Sequence, residues 1–189
     1  MLSIVIRKGA PLLFLINVLI VYLFLVPLAV LIHELGHALG ATLFTRQSRA
    51  NVFLGPHFTE NSRHFRVGRI DFYLRLATFG FCSSVDKDGN SSTERMSNRQ
   101  LIAFYAGGPV MSLIVALIAQ AASPQLSGQL FSLMQAFAVV NVFTFISTSL
   151  PYIYPNWKSG LAGTPTDGYR VRKVWREVKE QRKEQKKAI

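Results

Sequence analysis

Cysteine is almost absent from this sequence. The chain contains a single cysteine, Cys82, among 189 residues. One cysteine cannot form an internal disulfide, which excludes a fold held together by such bonds. Because no second cysteine lies nearby to share a metal ion, a structural role for Cys82 is favoured over a catalytic one.

Charge is missing from three long apolar runs, at about 9–44, 101–122 and 129–150. The second and third runs contain no Asp, Glu, Lys or Arg, and the first contains only Glu34. Uncharged stretches of 18 or more residues are typical of membrane spans, whereas a soluble core helix shows a polar face. The runs predict three spans. They also disfavour a small transporter, because two spans lack ionisable residues for a transport path.

The first run is too long for one straight span. Its 36 or so residues reach roughly 54 Å as a helix, against a hydrocarbon core of about 30 Å. We place the span at about 22–44, with Pro27 able to kink it. Residues 9–21 then tilt, break or lie in the interface. A signal peptide is disfavoured, since the run is long and no small-x-small cleavage site precedes the histidines.

Acidic residues are outnumbered by basic ones, 10 to 21, and the basic residues are unevenly placed. Two precede the first span, nine lie in 45–100 and ten in 151–189. The positive-inside rule places both segments in the cytoplasm and the N-terminus outside. The net charge of +11 then favours the anionic lipids of the inner leaflet as a partner, and not nucleic acid. We read residues 1–189 as one membrane-embedded domain.

A cluster of titratable residues interrupts the first apolar run in LAVLIHELGHALG, residues 28–40. His33 and His37 are four residues apart, so both imidazoles project from one helix face and can share a zinc ion. Glu34 lies beside them and can act as a general base toward water. A charged residue inside a membrane helix costs about 2.5–3.5 kcal/mol, and such residues usually mark function. The motif predicts a catalytic zinc site.

A catalytic zinc ion needs a third protein ligand and an open position. Three residues on the same side of the membrane qualify, Asp167, His57 and His64. Asp167 has a second reading, because Thr166 or Asp167 could cap a helix that starts near Gly168. Residue type and position alone leave these choices open.

The order of motifs resembles the site-2 protease family of intramembrane zinc metalloproteases. The resemblance is carried by HELGH in the first span, AGGPV (106–110) at the second and an Asp-Gly pair after the third. It implies a three-helix catalytic core with Asp167 as the third zinc ligand. The family usually has Asn-x-x-Pro shortly before Asp-Gly, but here fifteen residues separate Pro151 from Asp167. Asn141 is a candidate to hold the substrate or the oxyanion, or else forms a helix–helix hydrogen bond.

Small residues flank the motif. Gly36 and Gly40 allow another backbone to approach the first span, and Gly107, Gly108 and Pro109 supply small or bent positions on the second. The same residues also fit ordinary helix packing.

The loop 45–100 contains strand-like sequence. HFRVGRIDFYLRL alternates apolar and polar residues on either side of Gly68, and NVFLG is a candidate partner strand. We expect a small sheet or hairpin at the membrane surface. It either receives an extended substrate at an open edge or caps a hydrophobic entrance. The stretch 83–100 is expected to be a solvated linker.

The tail predicts a basic helix. One apolar stripe is surrounded by Lys and Arg, as in helices that lie on an anionic leaflet. The stripe is formed by Val171, Val174, Trp175 and Val178.

The sequence as a whole predicts an all-α membrane protein with a three-helix core, a small β element and a basic amphipathic C-terminal helix. Its expected function is intramembrane proteolysis with Zn²⁺ as cofactor. The substrate would be a transmembrane or membrane-associated protein cut near the cytoplasmic face. The alternative is a non-proteolytic membrane scaffold that uses the metal structurally. Nothing in the sequence gives the oligomeric state.

Overall fold

The computed structural model describes residues 10–57, 59–158 and 160–187, which leaves Arg7 and Lys8 outside the described residues. The described chain is mostly helical, with one sheet of four strands. The helices are α1 (Ala10–Ile20), α2 (Val26–Phe44), α3 (Asn98–Ala122), α4 (Gly128–Ser149) and α5 (Asp167–Lys187). The strands are β1 (Arg49–Leu54), β2 (Arg63–Val67), β3 (Ile70–Leu74) and β4 (Gly80–Val85).

Among the described residues, three segments are long and apolar enough to cross a membrane, Leu12–Phe44, Asn98–Gln125 and Gly128–Ser149. The three-span expectation is therefore supported by length and composition. The placement of each segment in a bilayer stays a prediction.

The first apolar run forms one continuous helix through Pro27. A π-helical segment, Val21–Leu25, joins α1 to α2, and the N–H of Val26 donates to the carbonyl of Val21. The wider turn accommodates the proline, which has no N–H to give to the preceding turn. Residues 10–21 therefore extend the helix without a break. The 33-residue segment is about 50 Å long and exceeds the hydrocarbon core by about 20 Å.

The backbones of α2 and α3 are in direct contact. A Cβ added to Gly36 would collide with the carbonyl oxygen of Gly107, and one added to Gly40 with that of Ala103. Such close approach lets helices pack tightly in lipid, where no hydrophobic force drives them together. The predicted role of these glycines is confirmed, and the contact fixes the position of the HELGH face against α3.

The sheet has the strand order β2-β3-β1-β4. The predicted hairpin is confirmed: β2 and β3 pair antiparallel around a turn at Gly68, whose φ of 58° suits glycine. The first four residues of NVFLG lie in β1, which pairs parallel with β3. Strand β4 is an addition that the sequence analysis missed. The linker expected at 83–100 is wrong in part, because β4 includes 83–85 and Met96 is buried.

One face of the sheet packs on α2 through Ala38, Ala50, Val52, Ile70 and Phe72. The Arg69 guanidinium, at the β2–β3 turn, donates to the carbonyls of Thr42, Thr45 and Ser48. These contacts satisfy carbonyl groups at the C-terminal end of α2 and hold the sheet beside the HELGH helix.

Cys82 packs against two hydrophobic clusters, the one between the sheet and α2 and a second one formed by Ala41, Met96 and Phe104. Burial raises the pKa of its thiol, so the side chain stays neutral. These contacts favour the structural reading of this residue.

Helix α5 packs against α3 and α4. Val174 is buried, whereas Trp175 is 66% exposed. The predicted apolar stripe is therefore divided. Part of it anchors α5 to the helical core, and the tryptophan faces outward among basic residues.

Candidate metal centre

Two helices from opposite ends of the chain bring three potential ligand atoms together. The Nε2 atom of His33 lies 3.1 Å from Oδ2 of Asp167 and 3.2 Å from Nε2 of His37. The third separation, from Nε2 of His37 to Oδ2 of Asp167, is 3.4 Å. The three residues form a group that could hold a metal ion.

Each imidazole is oriented by a hydrogen bond at its other nitrogen. Nδ1 of His37 donates to the carbonyl oxygen of Phe104 at 2.7 Å, and Nδ1 of His33 lies 3.0 Å from the hydroxyl of Ser112. A carbonyl oxygen can only accept, so His37 carries its proton on Nδ1 when neutral and presents the lone pair of Nε2 to the cluster. Metal-binding histidines are commonly fixed in this way.

The fifteen residues between Pro151 and Asp167 fold back on themselves. Tyr154 N–H donates to the carbonyl of Thr164, and Gly163 N–H donates to that of Tyr154. Ile153 and Pro165 form an isolated antiparallel bridge. The intervening loop therefore closes like a hairpin. The chain leaves α4 and returns close to its end, which places the Asp-Gly pair beside the histidines despite the long spacing.

Thr166, and not Asp167, caps α5. Its hydroxyl oxygen accepts from the N–H of Tyr169 at 3.3 Å and donates to the carbonyl of Leu150. The side chain of Asp167 is thereby free to face the imidazoles. A Cβ added to Gly168 would collide with the Ser149 carbonyl, which explains why glycine follows the aspartate.

The Asp167 carboxylate is held in its charged form. Burial acts to raise its pKa, but His37 and His33 together lower the pKa below its ordinary value. An ionised carboxylate is the form that binds a metal ion.

The cluster and Glu34 share one cavity of about 580 Å³. Glu34 is buried, and a Cβ added to Gly80 of β4 would come within 2.9 Å of Cγ of Glu34. Strand β4 therefore passes directly beside the HELGH motif. The cavity brings together a potential metal site, a buried carboxylate and a strand edge.

The comparison with protein families agrees with this arrangement. The sequence model of peptidase family M50, the site-2 protease family, matches residues 20–186 of the 189. The chain belongs to peptidase family M50. Comparisons with curated proteins and with solved structures found no significant match. The family consists of metallopeptidases, in keeping with the His33–His37–Asp167 group.

The other candidate ligands of this M50 peptidase lie away from the cluster. Nε2 of His64 lies 2.9 Å from Oδ1 of Asp71, and the ring of His57 packs on Phe53 with centroids 4.4 Å apart. In the described part of the chain, neither histidine belongs to a metal-binding group.

Asn141 is fully buried and donates to the Phe137 carbonyl in its own helix. That bond lies within α4 and so does not support the expected helix–helix hydrogen bond. Among the described residues, Asn141 is also not part of the cavity wall, so the substrate-holding reading gains no support.

Sequence reasoning missed the groups that orient the imidazoles. The carbonyl of Phe104 carries no signal in a sequence, because every residue has one. Ser112 could have been noticed as a hydroxyl within an uncharged span, eight residues after Phe104. Gly108 was assigned only to helix packing, but a Cβ there would collide with the His37 ring.

Gly108→Ala should weaken metal binding by about 10–100-fold, the range found when groups around metal ligands are disturbed. The added methyl group pushes on the imidazoles of both histidines. Metal affinity is measured by competition with a chromophoric chelator. The matched control is Val110→Ile, which adds one methyl group at an exposed position of α3 and should leave the affinity unchanged. Equal affinities in both variants would show that Gly108 does not position the ligands.

Proposed function

We propose that this M50 peptidase is an intramembrane zinc endopeptidase that cuts a transmembrane or membrane-associated protein near the cytoplasmic face. The observation that carries the proposal is the position of the site. His33, Glu34 and His37 lie within the candidate span Leu12–Phe44, in one cavity with Asp167. His37 is nine residues before Arg46, about 13 Å of helix from the basic loop.

The separations of the three ligand atoms are close to those in a zinc site, and the shortest is about 0.2 Å below the tetrahedral range. Zinc with nitrogen and oxygen ligands at about 2.0–2.2 Å in tetrahedral geometry separates them by about 3.3–3.6 Å. The observed separations are 3.1, 3.2 and 3.4 Å. Two imidazoles and one carboxylate are also a typical ligand set of catalytic zinc. When bound, zinc would supply Lewis-acid activation of water and of the scissile carbonyl.

Glu34 is the residue that moves protons in this proposal. Its carboxylate accepts a proton from the attacking water and later donates it to the nitrogen of the leaving amine. Glu34 is buried in the cavity that holds the three ligands, and the adjacent residue His33 is one of them. His33, His37 and Asp167 hold the metal, and Ser112 and the Phe104 carbonyl orient the two rings.

Strand β4 offers a place for the substrate backbone. It is at the end of the strand order, with β1 on one side only. On the other side the Ser84 carbonyl accepts from Ser92 N–H. The N–H and C=O groups of successive residues point to opposite sides of a strand. Those of Gly80 and Cys82 therefore point to the same side as those of Ser84, away from β1. A substrate segment added there would be extended, with its peptide bonds exposed for hydrolysis beside Glu34.

The scaffold alternative lacks an observation in its favour. A structural zinc site fills its fourth position with protein, whereas the described residues supply three ligands. A fourth coordination position would then be open to water, as a hydrolytic zinc site requires.

The proposed topology places the sheet, the 151–166 loop and α5 in the cytoplasm, with anionic lipids of the inner leaflet contacting α5. A reporter fused after residue 189 and one inserted near Asn90 should both report the cytoplasm, since nineteen basic residues flank these sites. If the two reporters lie on opposite sides of the membrane, an odd number of spans separates them and the three-span topology is wrong.

The function is tested by reconstituting the purified chain in vesicles with a synthetic membrane peptide. The peptide has a leucine-rich span with two glycines near its cytoplasmic end, because glycine destabilises a helix and so eases the local unwinding that cleavage needs. Mass spectrometry of the products should place the cut on the cytoplasmic side of the span. His33→Ala should give no products. Equal cleavage by the wild-type chain and by His33→Ala would mean that a contaminating protease is responsible.

A further inference from the structure

The cavity around the three candidate ligands is lined by apolar side chains and by two cations. The apolar lining includes Val26 and Val30 of α2 and Val139 and Phe143 of α4. Val26 precedes His37 by eleven residues, about 16 Å along the helix. The two cations are Lys158 and Arg170, which both follow α4 in the chain.

Each of these two cations lies over a tyrosine ring. Nζ of Lys158 is 4.6 Å from the ring centre of Tyr154, and the guanidinium carbon of Arg170 is 5.5 Å from that of Tyr105. The Nε of Arg170 donates to the Pro165 carbonyl at 3.4 Å. Cation–π contacts and this hydrogen bond hold the charges at the cavity wall.

In the described part of the chain, neither Lys158 nor Arg170 forms an ion pair with a carboxylate. Asp167 and Glu34 line the same cavity, and the ion pairs of Asp167 among the described residues are with His33 and His37. Two partly buried positive charges are therefore left facing the cavity, in position to bind a negative group that enters it.

We propose that Lys158 and Arg170 select substrates with an acidic side chain on the cytoplasmic side of the scissile bond. This inference rests on the proposed protease function. Arg170 follows Asp167 by one helical turn, about 4.5 Å of rise, and an extended substrate advances about 3.3 Å per residue. This rise corresponds to about one or two substrate residues, and with the length of the two side chains the acidic residue is expected within about four residues of the cut bond.

A lipid phosphate is the other anion that such a pair could bind. The position of the two residues argues against it. Arg172 and Lys173 are exposed on α5 and available to a membrane surface. Lys158 and Arg170 instead line the cavity that contains the three candidate metal ligands. A substrate reaches that cavity during catalysis.

The test measures binding of twelve labelled peptides to the Glu34→Gln chain in neutral phosphatidylcholine vesicles. The peptides share the leucine-rich span, and each carries Glu, Gln or Lys at one of four positions on the cytoplasmic side. Fluorescence anisotropy gives the dissociation constants, so the result does not depend on turnover. The Glu peptide should bind about tenfold more tightly than the Gln peptide at one position, since hydrogen bonds between charged groups are strong.

The preference should disappear in the same chain with Lys158→Gln and Arg170→Gln, and should turn toward the Lys peptide with Lys158→Glu and Arg170→Glu. Arg172→Gln with Lys173→Gln is the matched control, because it removes the same charge outside the cavity and should keep the preference. Equal binding of all peptides, or an equal loss in the control, would overturn the proposal. So would a preference that appears only in vesicles with anionic lipid, which would identify lipid as the partner.

Cleavage of the same peptides by the wild-type chain separates the two hypotheses. If the peptides are cut without regard to the acidic residue, the specificity proposal is wrong while the protease function stands. If the Glu peptide binds tightly and none is cut, the protease function is wrong and the anion-binding role of Lys158 and Arg170 remains.

Discussion

Glu34→Gln should abolish cleavage while leaving zinc bound. The substitution keeps the shape of the side chain but removes its ability to accept and return a proton. Loss of general-base catalysis should slow peptide hydrolysis by roughly 10²–10⁴-fold. Zinc should remain, because the ligand atoms belong to His33, His37 and Asp167. Insertion should not suffer, since the change removes a charge from the span.

The comparison requires zinc content and cleavage rate in the same preparations. His33→Ala serves as the reference variant and should lose both metal and activity. If Glu34→Gln cleaves as fast as the wild type, Glu34 is not the base. The chain would then not be a protease of the kind proposed.

Asp167→Ala should lower zinc affinity by at least about 100-fold, because loss of a ligand exceeds the effect of disturbing its surroundings. The chain should still enter the membrane, since Asp167 lies outside the three candidate spans. Metal content is measured by mass spectrometry after dialysis against a weak chelator. Glu177→Ala, which removes an exposed carboxylate from the same helix, should retain zinc.

A second substitution separates a ligand from a helix cap. Asn caps helices as well as Asp does, so Asp167→Asn should leave α5 folded while it weakens zinc binding. Thr166→Ala should cost about 1 kcal/mol of helix stability, because Thr166 is the residue whose hydroxyl accepts from Tyr169 N–H. If Asp167→Asn and Asp167→Ala both retain full zinc, Asp167 is not the third ligand.

Much of the helical core could be predicted because its signals are local. Uncharged runs mark the candidate spans, and the four-residue spacing of His33 and His37 places both rings on one face wherever the helix lies. The turn at Gly68 was also predictable, since the alternating pattern changes at this glycine. The structure confirms it with a positive φ. The third ligand was not predictable from residue type alone. The family resemblance pointed to Asp167, and the closure of the 151–166 loop explains how it arrives.

Other features depend on contacts between distant parts of the chain. Strand β4 has the sequence GFCSSV, which has no strong alternation, and it forms because β1 offers a free edge. The first helix continues through Pro27 because of a π-helical segment, VYLFL. The sequence of this segment is as apolar as the rest of the span, so nothing in it marks the change of helix type. The two tyrosines that hold Lys158 and Arg170 come from α3 and from the loop after α4, so no short stretch of sequence contains both cations with their tyrosines.

The most direct test of the central claim is the zinc dependence of cleavage by the reconstituted wild-type chain. Cleavage of the membrane peptide is measured as purified, after removal of metal with a chelator, and after return of zinc. We expect one zinc per chain at the start, loss of cleavage with loss of the metal, and recovery when one equivalent is restored. Cleavage that persists in the metal-free chain, or a zinc-loaded chain that cuts no membrane peptide, would contradict the account.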